Sequence, residues 1–219
     1  MILRQLAPID GSVAIHYNPV AMTAALKIPQ PKVISWDDYV RSEQTSDVRH
    51  EFINGQVFAM SGSSWNHNRI AGDIFSDLCI KLRGKPCEAF VNDLRLRIDL
   101  GDEQFGYYPD VMVVCDKKDQ RKSHVTNPTV VFEVLSKSTA RIDRREKLLA
   151  YQGVAELQAY VMVEQSHPQV IVHRRSNHWR AETINGLEGI LSLPEIGVEI
   201  PLATIYERVA WDEVEPDEL

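Results

Sequence analysis

Apolar residues recur along this chain with two different periods, and their succession lays out the elements. Ser35-Trp36-Asp37-Asp38 opens a short helix through about Glu43, with Ser35 as its cap and Asp38 at the third helical position. His50 to Met60 reads as a hairpin, because Asn54-Gly55 between two apolar runs supplies the positive-φ residues of a tight turn. Ser61-Gly62-Ser63-Ser64 then breaks the strand and caps a helix. On it His67, Ile70, Ile74, Leu78 and Leu82 share one face, and Gly84 stops it. The next strand alternates, with Leu94, Leu96 and Ile98 on one side and Asp93, Arg95 and Arg97 on the other. Its polar face is expected to line a cleft or meet solvent.

The stretch from Tyr108 to Tyr151 organises the rest. Val111 to Cys115 and Pro128 to Ser136 are apolar, β-branched runs of strand length, read as neighbouring central strands buried on both faces. A charged helix, Ala140 to Leu148, follows the second run. Ala159 to Glu164 and Val170 to Arg174 are two more strands, turned at His167-Pro168. Trp179 to Ile184 and Glu188 to Ile200 form a short-stranded region, and Leu202 to Val209 a closing helix. The order predicts an α/β fold, a mixed α+β sheet flanked by helices. Residues 1–30 show neither period and are expected to form a flexible leader, with Met22 as an alternative start to Met1. Residues 31–210 are expected to form a single domain, and 211–219 an acidic tail.

Composition narrows this further. No run of about 18 apolar residues is present, so no membrane span is expected. The three cysteines, Cys79, Cys87 and Cys115, form no CxxC pair and read as reduced core thiols of a cytoplasmic protein. The net charge of −7 argues against a non-specific nucleic-acid binder. Five acids stand in the last eight residues, however, and without them the balance is about −2. Basic residues gather at Arg141, Arg144, Arg145 and Lys147, and again at His173, Arg174, Arg175, His178 and Arg180. Solvated faces are the plainer meaning of both groups.

Candidate chemistry comes from two misplaced acids. Asp110 opens the first core strand and Glu133 stands inside the second, flanked on its own face by Val131 and Leu135. A buried carboxylate is costly unless it is paired or holds a metal. Neighbouring strands would let these two, 23 residues apart, share one divalent cation such as Mg2+ or Mn2+. The plainer alternative makes Asp110 a turn cap after Pro109 and gives Glu133 an arginine partner. Glu51, facing as Ile53 does, is a possible third acid or an outward hairpin charge. His67 is a core histidine or a cleft residue. Arg95 and Arg97 would approach phosphates from the polar strand face or be solvated.

Tyr108-Pro109-Asp110-Val111, Glu133 to Thr139 and Asp143 to Lys147 resemble the Uma-two family of restriction endonucleases, within the PD-(D/E)XK nuclease superfamily. His50-Glu51-Phe52-Ile53-Asn54-Gly55, Met60-Ser61-Gly62 and His67-Asn68 fit the same pattern, and the resemblance spans roughly Ser35 to Arg175. It implies a restriction-endonuclease-like core, DNA as partner, and magnesium held by Asp110, Glu133 and the Val134 carbonyl. It also implies a lysine two residues after the glutamate, where this chain has Leu135. Lys147 is the first replacement, since a helix packed on the strand ends could return its ammonium to within about 6 Å of an acid. Lys137 is the second, although the family often has proline there. With Arg144 as a further phosphate contact, the expectation is a Mg-dependent endonuclease, a homodimer if it cuts both strands. The rival is a nuclease fold kept as a DNA-binding or protein-interaction module without turnover. No P-loop, GxSxG or GxGxxG supports another α/β enzyme.

Overall fold

The computed structural model describes residues 33–116, 118, 123–136 and 143–211, with only the backbone at Asp143 and Arg144. The leader, the acidic tail beyond Trp211 and Lys137 lie outside the described residues.

Helix α1 (Trp36–Glu43) starts at Ser35, whose hydroxyl accepts from the Asp38 amide at 3.1 Å and donates to the Asp38 carboxylate at 2.7 Å. Strands β1 (His50–Ile53) and β2 (Gln56–Ala59) form the expected hairpin, with Asn54 at φ 49° and Gly55 at φ 83°. Helix α2 (Trp65–Lys81) is capped by Ser64, which accepts from the His67 amide at 3.1 Å. Strands β3 (Glu88–Val91), β4 (Arg95–Leu100), β5 (Glu103–Tyr107), β6 (Val111–Val114), β7 (His124–Val125) and β8 (Val130–Leu135) follow. A π-helical turn, Asp143–Lys147, runs into α3 (Leu148–Gln152). Strands β9 (Ala159–Glu164), β10 (Gln169–Arg174), β11 (Ala181–Asn185), β12 (Ile190–Leu193) and β13 (Val198–Pro201) precede a closing helical turn, Leu202–Ile205, shorter than expected.

These strands make a mixed α+β architecture. One sheet has the order β2-β1-β5-β4-β7, and a second β11-β10-β9-β8-β6-β3, with β12 and β13 as a separate pair. β6 pairs antiparallel with β8, and β8 parallel with β9. Parity along β6 and β8 divides the core. Val111, Val113, Val130, Phe132 and Val134 pack with Ile70, Ile74 and Leu78 of α2. Met112, Val114, Val131 and Leu135 face the other way, onto Leu96, Ile98 and Tyr107 of the smaller sheet and Tyr151 of α3. Both faces of these two strands are therefore buried, and truncating a residue such as Phe132 to alanine costs about 3–5 kcal/mol.

Two expectations need correcting. The polar face of β4 meets solvent only in part, because α1 packs on it beside Arg95 and Arg97 while Asp93 and Asp99 stay exposed. Arg97 lies over the Trp36 ring at 4.8 Å and forks onto Asp99, while Arg95 is buried. Alternation marks a polar face but carries no information about what packs on it. Gly106 permits this packing, since a Cβ there would lie 2.8 Å from the Trp36 ring. The second correction is that Cys87 and Cys115 form a disulfide. Glu88 pairs with Val114, so the residues one step beyond each strand end stand opposite each other. Cys79 is a free thiol on α2.

Candidate active site

Asp110 precedes β6, whose register with β8 pairs Val111 with Phe132. One further step sets Asp110 opposite Glu133, and residues directly opposite on an antiparallel pair project from the same face. Asp110 Oδ2 accepts the Val134 amide at 2.7 Å, so the carboxylate stands in for a backbone acceptor at the end of the ladder. His67 Nε2 lies 3.2 Å from the same oxygen. The first turn of α2 is thereby tied to the mouth of the strand pair.

Glu133 is buried where Val131 and Leu135 mark its face as core. Its Oε1 accepts from the Tyr151 hydroxyl at 2.7 Å and from Lys147 Nζ at 3.1 Å. The Lys147 ammonium also stands 3.1 Å from Glu51 Oε1 and 5.4 Å from the centre of the Tyr107 ring. Lys147 ends the π-helical turn, and Tyr151 follows four residues later on the same helical face. One helical segment thus delivers two partners to Glu133. Burial and the Glu133 charge hold the Tyr151 phenol well above its ordinary pKa, so it is a fixed donor. Burial, reinforced by Glu51 and opposed by Lys147, also raises the Tyr107 phenol.

The phosphate candidates fare differently. Arg95 is a buried strut: its guanidinium lies between the Tyr39 and Tyr108 rings, 4.8 and 5.1 Å from their centres. It donates to the Tyr108 hydroxyl, which donates in turn to Glu43. This corrects its assignment to nucleic acid, since a cation enclosed by two rings presents no fork to a phosphate. Arg97 is committed to Trp36 and Asp99, and the Arg144 side chain lies outside the described residues. The second basic group is partly internal, with His173 and Arg174 buried and His178 and Arg180 exposed. Arg174 pairs with Glu182 and Glu195, and Arg175 donates to the carbonyls of Gln152, Val154 and Leu157 at the end of α3.

The Uma2 family profile, described as putative restriction endonuclease, matches residues 36–203. The chain belongs to this family. Two uncharacterized proteins of Synechocystis sp. are similar to it. One, sll1609, is 34% identical over 137 residues, 61% of this chain and 76% of its own. The other, slr1290, is 31% identical over 185 residues, 84% and 96% of the two chains. A crystal structure from Anabaena variabilis, titled a putative nuclease belonging to DUF820, superposes with a TM-score of 0.62 at 15% identity, covering 75% of this chain and 93% of that one. At that identity the likeness is one of fold, and it is the restriction-endonuclease-like fold.

In this Uma2 chain the donor set suits a hard cation. Among the described residues, register sets Asp110 opposite Glu133, and Glu133 and Glu51 share the Lys147 ammonium. The Val134 amide and His67 both approach Asp110 at Oδ2. Among the described residues no three His, Cys, Asp or Glu side chains form an all-protein metal cage. Magnesium does not require one, because it is commonly held by one or two carboxylates and completed by water. Tyr151 and Tyr107 were missed by sequence reasoning. Buried aromatics read as core, and the one available signal was the spacing of four between Lys147 and Tyr151.

Proposed function

We propose that this protein is a metal-dependent endonuclease that hydrolyses DNA phosphodiester bonds by attack of water. The observation that carries this reading is the contact of Lys147 Nζ with Glu133, which restores a cation to the site where Leu135 cannot supply one. Asp110, Glu133 and the Val134 carbonyl would hold Mg2+ or Mn2+, which when bound lowers the pKa of a coordinated water and offsets charge on the phosphate. The chain's own residues do the rest. The Val134 amide and His67 fix Asp110, and Tyr151 fixes Glu133. Lys147 presents a positive charge where negative charge develops on the phosphate oxygens, and Glu51 holds that ammonium at the mouth. Cutting both strands of a duplex calls for two such sites, hence a two-fold homodimer. We place the activity in the cytoplasm, where DNA is at hand.

The rival reading, a nuclease fold that binds DNA or protein without turnover, draws on the lysine-to-leucine change at position 135 and the net charge of −7. Incubation with supercoiled plasmid and Mg2+ or Mn2+ decides between them. Nicked and linear products, lost on chelation and in Lys147→Ala, are the expected result. Binding without cleavage in either metal makes the rival correct.

A further inference from the structure

Two exposed aromatic side chains lie close in the chain or across a strand pair to residues of this site, and neither takes part in the arrangement above. Trp65 opens α2 and is 76% exposed, more than any other large apolar residue among the described ones. Arg69, one turn on, holds its guanidinium 5.5 Å from the centre of the Trp65 ring. Phe58 is 47% exposed on β2, an edge strand. Each is tied to a residue of the site, Trp65 along the chain and Phe58 across a strand pair. Trp65 precedes by two residues the His67 that contacts Asp110, and Phe58 is the direct cross-strand partner of Glu51, whose carboxylate holds Lys147. Opposite residues on an antiparallel pair have Cβ atoms about 5 Å apart on one face, which sets Phe58 at the mouth.

An indole or phenyl ring left in water forgoes much of the burial that makes aromatics worth having in a core. Rings of this kind, one with an arginine laid on it, are what proteins use to stack unpaired bases. They have no such use on a duplex, whose base faces are already stacked on one another.

We propose that the site takes unpaired nucleotides, single-stranded DNA or the unpaired arm of a branched DNA, with Trp65 and Phe58 stacking on bases next to the scissile phosphate. This rests on the nuclease reading and names its substrate class. The test uses the full chain without divalent metal and compares a single-stranded oligodeoxynucleotide with a blunt duplex of the same sequence. The single strand should bind more tightly and quench tryptophan fluorescence, and the quench should vanish in Trp65→Phe while binding persists. Stacking is worth about 1–3 kcal/mol per base, so Trp65→Ala and Phe58→Ala should each weaken single-strand binding roughly 5- to 150-fold and leave duplex binding unchanged. Both rings are exposed, so the variants should fold, which circular dichroism checks. Equal binding of the two DNAs, or indifference to both alanine changes, overturns the substrate assignment while leaving metal-dependent cleavage to stand. A change of oligomeric state in the alanine variants also overturns it, because the rings then face a second copy. Stacking as expected with no cleavage in Mg2+ or Mn2+ leaves the single-strand site and removes the nuclease reading.

Discussion

Lys147 follows Glu133 by 14 residues, yet its ammonium lies 3.1 Å from the Glu133 carboxylate in a buried pair shared with Glu51. Such a pair is poor evidence of stability, since desolvation offsets much of its attraction.

Lys147→Ala should therefore do two separable things. Removing one partner leaves Glu133 and Glu51 uncompensated, which costs about 3–5 kcal/mol and lowers the Tm of the metal-free protein. Added Mg2+ should recover part of that loss, because a cation then faces the same carboxylates. Cleavage in saturating metal should fall on the order of 100-fold or more, with DNA binding little changed. A variant that cuts as well as wild type moves the catalytic cation to Lys137.

Asp110 discriminates a metal ligand from a turn cap. In Asp110→Asn the amide oxygen can still accept the Val134 N–H, so the fold should hold within about 1.5 kcal/mol while magnesium binding disappears from a calorimetric titration. Asp110→Ala strands that N–H and should cost about 1–3 kcal/mol. Equal, large losses of Tm in both variants, with magnesium binding intact in the asparagine form, would make Asp110 structural.

The acids were legible because each breaks an apolar run, and a core strand tolerates a carboxylate only for a reason. The approach of Lys147 to Glu133 was legible only from Leu135, whose apolar side chain turned attention to other cations that could reach the acids. Tyr151 was not, because a tyrosine at a core position has the same periodicity whether or not its hydroxyl serves an acid. Arg95 was misread for a related reason: the pattern of β4 fixed its face, but α1, which packs on that face, lies more than fifty residues earlier in the chain. Strand register, which sets Asp110 opposite Glu133 and Cys87 opposite Cys115, depends on pairings that no local period reports.

The tyrosines predict a sharp alkaline limit. Tyr39, Tyr107, Tyr108, Tyr151 and Tyr206 all have phenols raised above the ordinary value, chiefly by burial. The unfolded chain releases these protons near pH 10, whereas the folded one retains them. Stability is accordingly complete below about pH 10 and falls as pH rises past it, by up to about 1.4 kcal/mol per pH unit for each phenol. Phenolate absorbance should appear together with loss of far-ultraviolet circular dichroism. A full phenolate titration near pH 10 in protein that keeps its native spectrum would count against this burial.

The Cys87–Cys115 bond gives the last prediction, and it bears on where the protein works. The bond closes a sequence separation of 28, for which chain entropy alone gives about 3–4 kcal/mol of stabilisation. It joins the edge strand β3 to β6, and β6 begins directly after Asp110. The Glu88-to-Val91 ladder and the Asn92 amide bound to the Asp110 carbonyl hold the same two segments together without it. Reduction should then lower Tm by roughly 6–16 °C but leave the fold, and so the register of Asp110 and Glu133, in place. Cys87→Ser should match the reduced wild type and keep magnesium binding. In a reducing cytoplasm, where such bonds are rare, the working form would be the reduced one. A native thiol count of three, with a Tm indifferent to reductant, would show that the bond does not form; loss of magnesium binding on reduction would show that it helps to hold the site.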